Sequence, residues 1–319
     1  MPQNSRQVFR THSNYLNAIR YIASGGIEDN NQKSLELLAE KVFESGCLKL
    51  EKKTEFNTND IHHSLNNAWG VEALYKMGNL FIKEDDLIRL SNNWCIVQTY
   101  YALYYSTQAL AITEGYPKPR THAQVQKIFY VMWSEISWLI TPWCISFDEN
   151  GFHNLAPGIY PDDHIHSWKK VEDESALSLF CKALRTTREE YISEALAKRR
   201  DRLAKKKDTS TVKLTDEQKM QTITRVRPTT LMSYLFRLKR KTNYEQSSIL
   251  AIGPQNEFQS QELRNNLSFI IESTLLITEF IISRLIGEDI YYNWCREWEK
   301  YKAPAFDHIG PEERFEIVF

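Results

Sequence analysis

Glycine, proline and unbalanced charge are scarce in this sequence. Its 319 residues include 11 glycines and 10 prolines, and the formal net charge is -1. So few helix breakers, together with abundant Leu, Ile, Glu and Lys, favour helix along most of the chain. A hydrophobic fraction of 42% beside 25% charged residues is typical of a globular protein with a sizeable core. The net charge alone predicts no partner.

Paired cysteines and charge-free apolar runs are also missing. The five cysteines form no CxxC pair, which argues against a zinc ribbon or a disulfide framework and fits a reducing cytoplasm. No apolar run follows the N-terminal residues, so no signal peptide is expected. The most apolar long stretch, 267–286, carries Glu272, Glu279 and Arg284, which makes a membrane span unfavourable. We therefore predict a cytoplasmic protein without a membrane partner.

One stretch, 92–112, has no glycine, proline or charge and is rich in aromatic residues. Apolar side chains recur at helical spacing on two faces, one containing Tyr100 and Leu103 and the other Tyr101 and Tyr104. A helix that is apolar on most sides belongs at the centre of a bundle. Gly115 would end it.

Helical patterns recur along most of the remaining sequence. They predict helices over 13–23, 31–45, 60–82, 122 to about 140, 173 to about 204, 229–241, 260–285 and 289–301. A short helix is predicted from 215, and the helix at 229–241 is predicted to continue over 243–250 after a break. Pro228 is placed in the first turn of the helix at 229–241. Residues 141–168 do not follow this pattern, and we expect an ordered loop or small hairpin pinned by aromatic residues. The segment after Pro304 is predicted to be a polar tail on the surface.

Charge is unevenly distributed. Residues 185–207 contain nine Lys or Arg against four acids, and residues 225–241 contain six Lys or Arg and no acid. The run that begins at Lys198, Arg199 and Arg200 is a candidate electrostatic footprint for nucleic acid. The alternative is a solvated helix end, where cations suit the helix dipole.

Three segments together suggest a family. The string YYALYYSTQAL at 100–110 is followed by Gly115 and by KPRTHAQV at 118–125; LFRLKRKTNY lies at 235–244, and a long apolar helix begins at Ser260. In this order they resemble the HEPN superfamily of prokaryotic helical-bundle domains, over roughly 60–140 and 229–286. Lys239 and Thr242 depart from the third motif of that superfamily, which has Arg and then Ala or Ser at these positions.

The resemblance implies an all-α fold, a HEPN-like helical bundle with an N-terminal helical extension and a large mid-chain insertion. The extension would cover residues 1–59. The bundle would cover 60–302, with the insertion at about 141–225, and a C-terminal tail would cover 303–319.

Many HEPN proteins are metal-independent RNases that use an Arg and a His with four to six residues between them, usually across a dimer. In this sequence Arg264-Asn265 is followed by Phe269 where the His would stand. The literal match, Arg6 to His12, lies outside the matching region. The catalytic residues of the family are therefore not carried over, and whether this chain is an enzyme stays open.

The functional hypothesis is a non-catalytic HEPN-like protein that binds RNA or a protein partner, in a setting such as a prokaryotic defence or toxin–antitoxin system. One alternative is a metal-independent RNase with a displaced catalytic His, either His122 or His12. Another is a structural subunit of a larger assembly. RNA, a nucleotide, a partner protein and a second copy of the chain all remain possible partners.

Two groups of residues are candidate contacts for an anion or for nucleic acid. Arg120 and His122 stand at a helix start, where free N–H groups attract anions, although a helix-start residue with ordinary exposure has the same pattern. The second group combines arginines that suit phosphate with residues that could equally serve the packing of the bundle. It consists of Arg237, Arg240, Asn243 and Tyr244.

One segment of the sequence has the residue types of a metal site. Asp162, Asp163, His164 and His166 are close together, with His153 nearby, but their spacing matches no standard ligand pattern. We predict no metal and no cofactor.

Overall fold

The computed structural model describes residues 3–27, 30–45, 56–82, 84–134, 140–207, 212–242, 253–254, 256–301 and 309–319. Over these residues the fold is all-α with one small hairpin, as predicted. The helices and strands are α1 Gln3–Ala23, α2 Asn31–Glu44, α3 Thr58–Phe81, α4 Asp85–Thr113, α5 His122–Ser134, β1 Ser146–Asp148, β2 Gly151–His153, α6 Asp173–Lys207, α7 Asp216–Ile223, α8 Leu231–Arg240, α9 Glu257–Ile286, α10 Glu288–Glu299 and α11 Pro311–Val318.

Helix α4 lies at the centre of the molecule, which confirms the prediction for 92–112. It packs along α3 and α9 and also contacts α5 and α8. Tyr100, Leu103 and Leu110 are buried on one face of this helix, and Val97 and Tyr104 are buried on the neighbouring face, so the helix is apolar on most sides. Its C-terminus is closed by Gly115, whose φ of 85° is readily adopted only by a residue without a Cβ.

The N-terminal helices pack on the rest of the molecule. Helix α1 contacts α6 and α9, and α2 contacts α9 and α11. Helix α1 begins ten residues earlier than the predicted start at Ser13. The early turns have a polar outer side, including the exposed Arg6 and Arg10, but Phe9 is buried beneath them. Two adjacent apolar residues, Val8 and Phe9, among polar neighbours gave too weak a periodic signal in the sequence.

The segment between α5 and α6 contains the predicted aromatic hairpin. Strands β1 and β2 are antiparallel, and Phe147 pairs with Phe152, their ring centroids 4.4 Å apart. Helix α5 is described as His122–Ser134, and the residues that would carry it to the predicted end near Ile140, 135–139, lie outside the described ranges.

Helix α8 starts two residues later than predicted. Thr229 exchanges backbone hydrogen bonds with Phe147, so it belongs to a β-bridge rather than to the helix. The next residue, Thr230, caps the helix by accepting a hydrogen bond from the Ser233 N–H. Pro228 therefore precedes the helix instead of lying in its first turn. The predicted helical continuation over 243–250 lies outside the described residues.

The C-terminal segment differs from the predicted polar surface tail. Residues Pro311–Val318 form α11, which packs on α2, α9 and α10. Its Arg314 is 1% exposed and forms ion pairs with Glu72 of α3 and Glu279 of α9. A charge-rich sequence suggested solvent exposure, but here the charges are paired inside the protein.

Candidate nucleic-acid interface

A groove of about 940 Å³ lies between the C-terminal half of α6, helix α7 and the segment that leads into α8. Two acids, Glu194 and Asp201, line it. The lining cations are Lys198, Arg199, Arg202, Arg225, Arg227 and Arg240. Cations therefore outnumber acids on this surface, and the groove attracts anions.

Charged residues at helical spacing on α6 form one side of the groove. Glu194, Lys198 and Arg202 are four residues apart, so they form one stripe along the helix. Glu194 pairs with Arg240 at 2.7 Å and with Lys198 at 3.8 Å. Among the residues with described positions, Arg202 and Arg225 pair with no carboxylate, and both are exposed. These two exposed guanidinium groups contribute to the excess positive charge of the groove.

The opposite rim is held in place by a buried arginine. Arg188 of α6 is 3% exposed and donates hydrogen bonds to the backbone carbonyls of Val226 and Arg227, each at 3.1 Å. Arg227 in turn donates to the carbonyl of Ala123 at the start of α5. The chain that carries Arg225 is thereby fixed against both α6 and α5.

Three further residues line the groove between these basic sides. Tyr191 donates a hydrogen bond to the Ser233 carbonyl at 3.1 Å and lies 3.4 Å from Oε1 of Gln126. Burial raises the pKa of Tyr191, so its hydroxyl stays protonated and donates. Phe236 is half-buried, and its ring also packs on His122, with centroids 5.1 Å apart. Phe236 thus joins the groove to a second polar cluster.

His122 is the centre of that cluster. Its ring lies against Tyr100 and Tyr104, each at 5.4 Å between centroids. Nδ1 is 2.8 Å from the Tyr100 hydroxyl, and Nε2 is 3.4 Å from Nζ of Lys239. Burial and the nearby Lys239 lower the pKa of His122, so the ring is neutral at neutral pH. The tautomer that satisfies both contacts carries its proton on Nδ1 and accepts from Lys239 at Nε2.

Lys239 is 7% exposed. Its ammonium donates to the Tyr101 hydroxyl at 3.1 Å and lies 4.9 Å and 4.5 Å from the ring centroids of Tyr100 and Tyr101. These are cation–π distances. Over the described ranges, no carboxylate lies within ion-pair distance of Lys239. A buried cation is thus held by neutral groups beside the groove.

The structure brings some of the predicted site residues together. Lys198, Arg199 and Arg240 all line the groove. Arg200 is exposed on α6, but its side chain does not line the groove, and its Nε donates to the Leu196 carbonyl. Arg120 is exposed just before α5.

Other predicted residues lie elsewhere. Arg237 is 7% exposed and turns towards α6, where it pairs with Glu190 at 2.8 Å and donates to Thr186 and Thr187 at 3.0 Å each. This geometry ties α8 to α6. Asn243 and Tyr244 lie outside the residues that the structure describes.

The Arg6–His12 pair does not form a site. Arg6 is exposed, whereas His12 is 4% exposed, with Nδ1 3.2 Å from the Tyr234 hydroxyl. Six residues along a helix place the two side chains about 120° apart around the axis, so they face different environments.

The acidic and histidine side chains between β1 and α6 contact neighbouring side chains. His153 pairs with Asp148 at 2.9 Å, Asp163 pairs with Arg185, and His166 stacks on Trp168. In the part of the chain with described positions, no group of three His, Cys, Asp or Glu side chains is placed to hold a metal ion.

Sequence reasoning missed several residues of this surface. Arg202 and Arg225 belong to the basic runs already noted, but nothing in the sequence showed that the two runs face each other. Lys239, which lies beside the groove and does not line it, was noted singly only as a departure from a motif. Tyr191 and Phe236 carried no signal, because an aromatic residue on a helix is most often a core residue.

No family model, curated protein or solved structure matches this chain. Within the described ranges, none of the helices is both long and apolar enough to cross a membrane.

Proposed function

We propose that this chain is a HEPN-like, non-catalytic protein that binds single-stranded RNA along the groove between α6 and α7. The observation that carries the proposal is the charge of the groove, where six cations face two acids and Arg202 and Arg225 have no carboxylate partner among the described residues. Phosphate contacts from Lys and Arg dominate the affinity of proteins for nucleic acid.

RNA fits the groove better than an acidic protein surface does. Aromatic rings beside a basic track are the usual arrangement for single strands, because every base has a face that can stack. The half-buried Phe236 offers such a ring among the arginines. The HEPN resemblance points to the same ligand. On the basis of that resemblance, the proposal extends to a cytoplasmic, prokaryotic setting of the defence or toxin–antitoxin type.

The proposal is tested by titrating a labelled single-stranded RNA of 12 nucleotides with the protein at several salt concentrations. Affinity should fall steeply with salt. The double variant Arg202→Ala/Arg225→Ala should bind more weakly, and its logarithmic salt slope should be smaller by about 1.4, since each lost phosphate contact on a single strand removes roughly 0.7. A matched control is Arg296→Ala, which removes an exposed arginine of α10.

The outcomes separate the competing hypotheses. If RNA does not bind, or if Arg296→Ala weakens binding as much as the double variant, the groove is not an RNA site. If the RNA is cleaved without metal and His122→Ala prevents cleavage, the protein is an RNase, which the neutral His122 beside Lys239 would favour. Intact RNA recovered from a salt-sensitive complex supports the proposed function.

A further inference from the structure

Lys239 has an incomplete set of contacts. An ammonium group has three N–H donors, and within the described residues two of them are directed to oxygen or nitrogen, the Tyr101 hydroxyl and Nε2 of His122. Both of these described partners are neutral, because a phenol hydroxyl carries no charge and the lowered pKa of His122 keeps its ring uncharged. Burying a cation without an anion is costly. An anion that enters from the groove would offset that cost.

The position of Lys239 fits such an anion. The ring of Phe236 lines the groove and packs on His122, and the Lys239 ammonium lies 5.9 Å from the same ring. Gln126, one helical turn after His122 on α5, also lines the groove. The cluster therefore adjoins one side of the binding track.

We infer that Lys239, with His122 and Tyr101, binds the terminal phosphate of the RNA strand that occupies the groove. This inference rests on the proposed function. A lysine ammonium is a compact point charge that suits a phosphate monoester, whose charge is greater than that of a diester. Tyrosine rings enclose the cluster on several sides. The cluster therefore accommodates a terminal phosphate more readily than an internal phosphate, from which the RNA strand continues in both directions.

The first experiment compares RNAs of one sequence that carry a 5′-phosphate, a 3′-phosphate or hydroxyl groups at both ends. One of the two phosphorylated strands should bind the wild-type protein about tenfold more tightly than the hydroxyl-ended strand, as expected for one charge-assisted contact. Lys239→Met keeps the apolar stem and removes the charge. It should abolish the preference while the hydroxyl-ended strand binds almost as before.

The matched control is Lys198→Met, which removes an exposed lysine from the groove. It should weaken all three RNAs to a similar degree and leave the end preference intact. Lys239→Gln serves as a second neutral variant if Lys239→Met folds poorly. Wild-type binding that ignores the terminal phosphate would overturn the inference without any variant.

A second measurement does not depend on RNA. Inorganic phosphate, compared with chloride at equal ionic strength, should raise the Tm of the wild-type protein by more than it raises the Tm of Lys239→Met, which keeps the groove arginines and the general stabilising effect of phosphate. If phosphate acts through Lys239 but no RNA binds, the anion site is supported and the proposed function fails. If RNA binds without an end preference and phosphate raises both Tm values equally, the groove is supported and the site at Lys239 is refuted.

Discussion

Arg314, Arg264 and Lys239 are buried cations that are compensated in different ways. Arg314 lies between the carboxylates of Glu72 and Glu279. Arg264 is 1% exposed, and its described partners are neutral, including the Ile88 carbonyl at 2.7 Å. It ties α9 to the first turn of α4, so the Arg-Asn string of the sequence serves packing. Of these three cations, Lys239 is the one beside the groove between α6 and α7, and this is why an external anion is assigned to it.

His12 gives a prediction about pH. Burial, reinforced by the positive charges of Arg237 and Lys241, lowers the pKa of His12 from 6.5 to about 3. Below pH 6.5 the unfolded chain binds a proton here and the folded protein does not, so stability falls as the pH decreases towards 3. Between pH 7 and pH 5, we expect this residue to lower the free energy of unfolding by about 2 kcal/mol. Urea unfolding at a series of pH values measures it.

The comparison needs a variant without the titrating ring. His12→Gln should be less sensitive to pH over this range, whereas His164→Gln, at an exposed position, should keep the wild-type slope. Equal slopes for wild type and His12→Gln would show that His12 is accessible to protons in the folded state, contrary to its burial.

Among the elements, α11 depends most clearly on one side chain. Arg314 donates to both oxygens of Glu72, at 2.8 Å and 3.0 Å, and to both oxygens of Glu279, at 2.7 Å and 2.8 Å. Replacing it with methionine would leave two buried carboxylates short of a partner. We expect Arg314→Met to lower the free energy of unfolding by about 3–5 kcal/mol, the usual cost of breaking a buried pair. Urea denaturation followed by circular dichroism measures the loss.

Two further variants check the cause. Arg284→Met removes an arginine from the same part of the molecule, but its pair with Glu288 is partly exposed. That change should cost less than about 1 kcal/mol. Adding Glu279→Gln to Arg314→Met should recover part of the loss, because one unpaired charge is then neutral. No recovery would mean that lost packing, rather than charge, dominates.

The elements also show what the sequence could reveal. Amphipathic or wholly apolar periodicity located α2, α4 and α9 well, because burial of a helix face leaves a repeating pattern. The start of α8 was missed because the pairing of Thr229 with Phe147 is a contact between distant segments. The same limit applies to α11, since Glu72 and Glu279 are remote from Arg314 in sequence.

The candidate site was predictable in its charge but not in its shape. The basic runs at 198–207 and 225–241 were visible, and Lys198, Arg199 and Arg240 were named from them. Arg237 belongs to the same run, yet it faces Glu190 and the interior. Which side of α8 faces the groove follows from how α8 packs on α4 and α6, and no local pattern encodes that choice.

In the whole molecule, α1 connects parts of the chain that the sequence separates. Asn14 donates to the Ser167 carbonyl at 2.7 Å, Tyr21 donates to Asp173 at 2.5 Å, and Asn17 donates to Glu262 at 3.0 Å. Helix α1 thus contacts the segment before α6, the start of α6 and α9 together. Folding of these three parts is expected to be cooperative.

Native-state hydrogen exchange tests that cooperativity directly. The slowest amides of α1, near the buried Leu16, should exchange with the same free energy as those of α9. Leu16→Ala should lower both by the same amount, about 2–5 kcal/mol for a buried leucine. Helix α7, which buries none of its residues, is the internal control and should exchange through local opening that the variant leaves unchanged. If Leu16→Ala accelerated exchange in α1 alone, α1 would be a separate folding unit docked on helices that fold without it, and its contacts with α6 and α9 would contribute little to the stability of the groove.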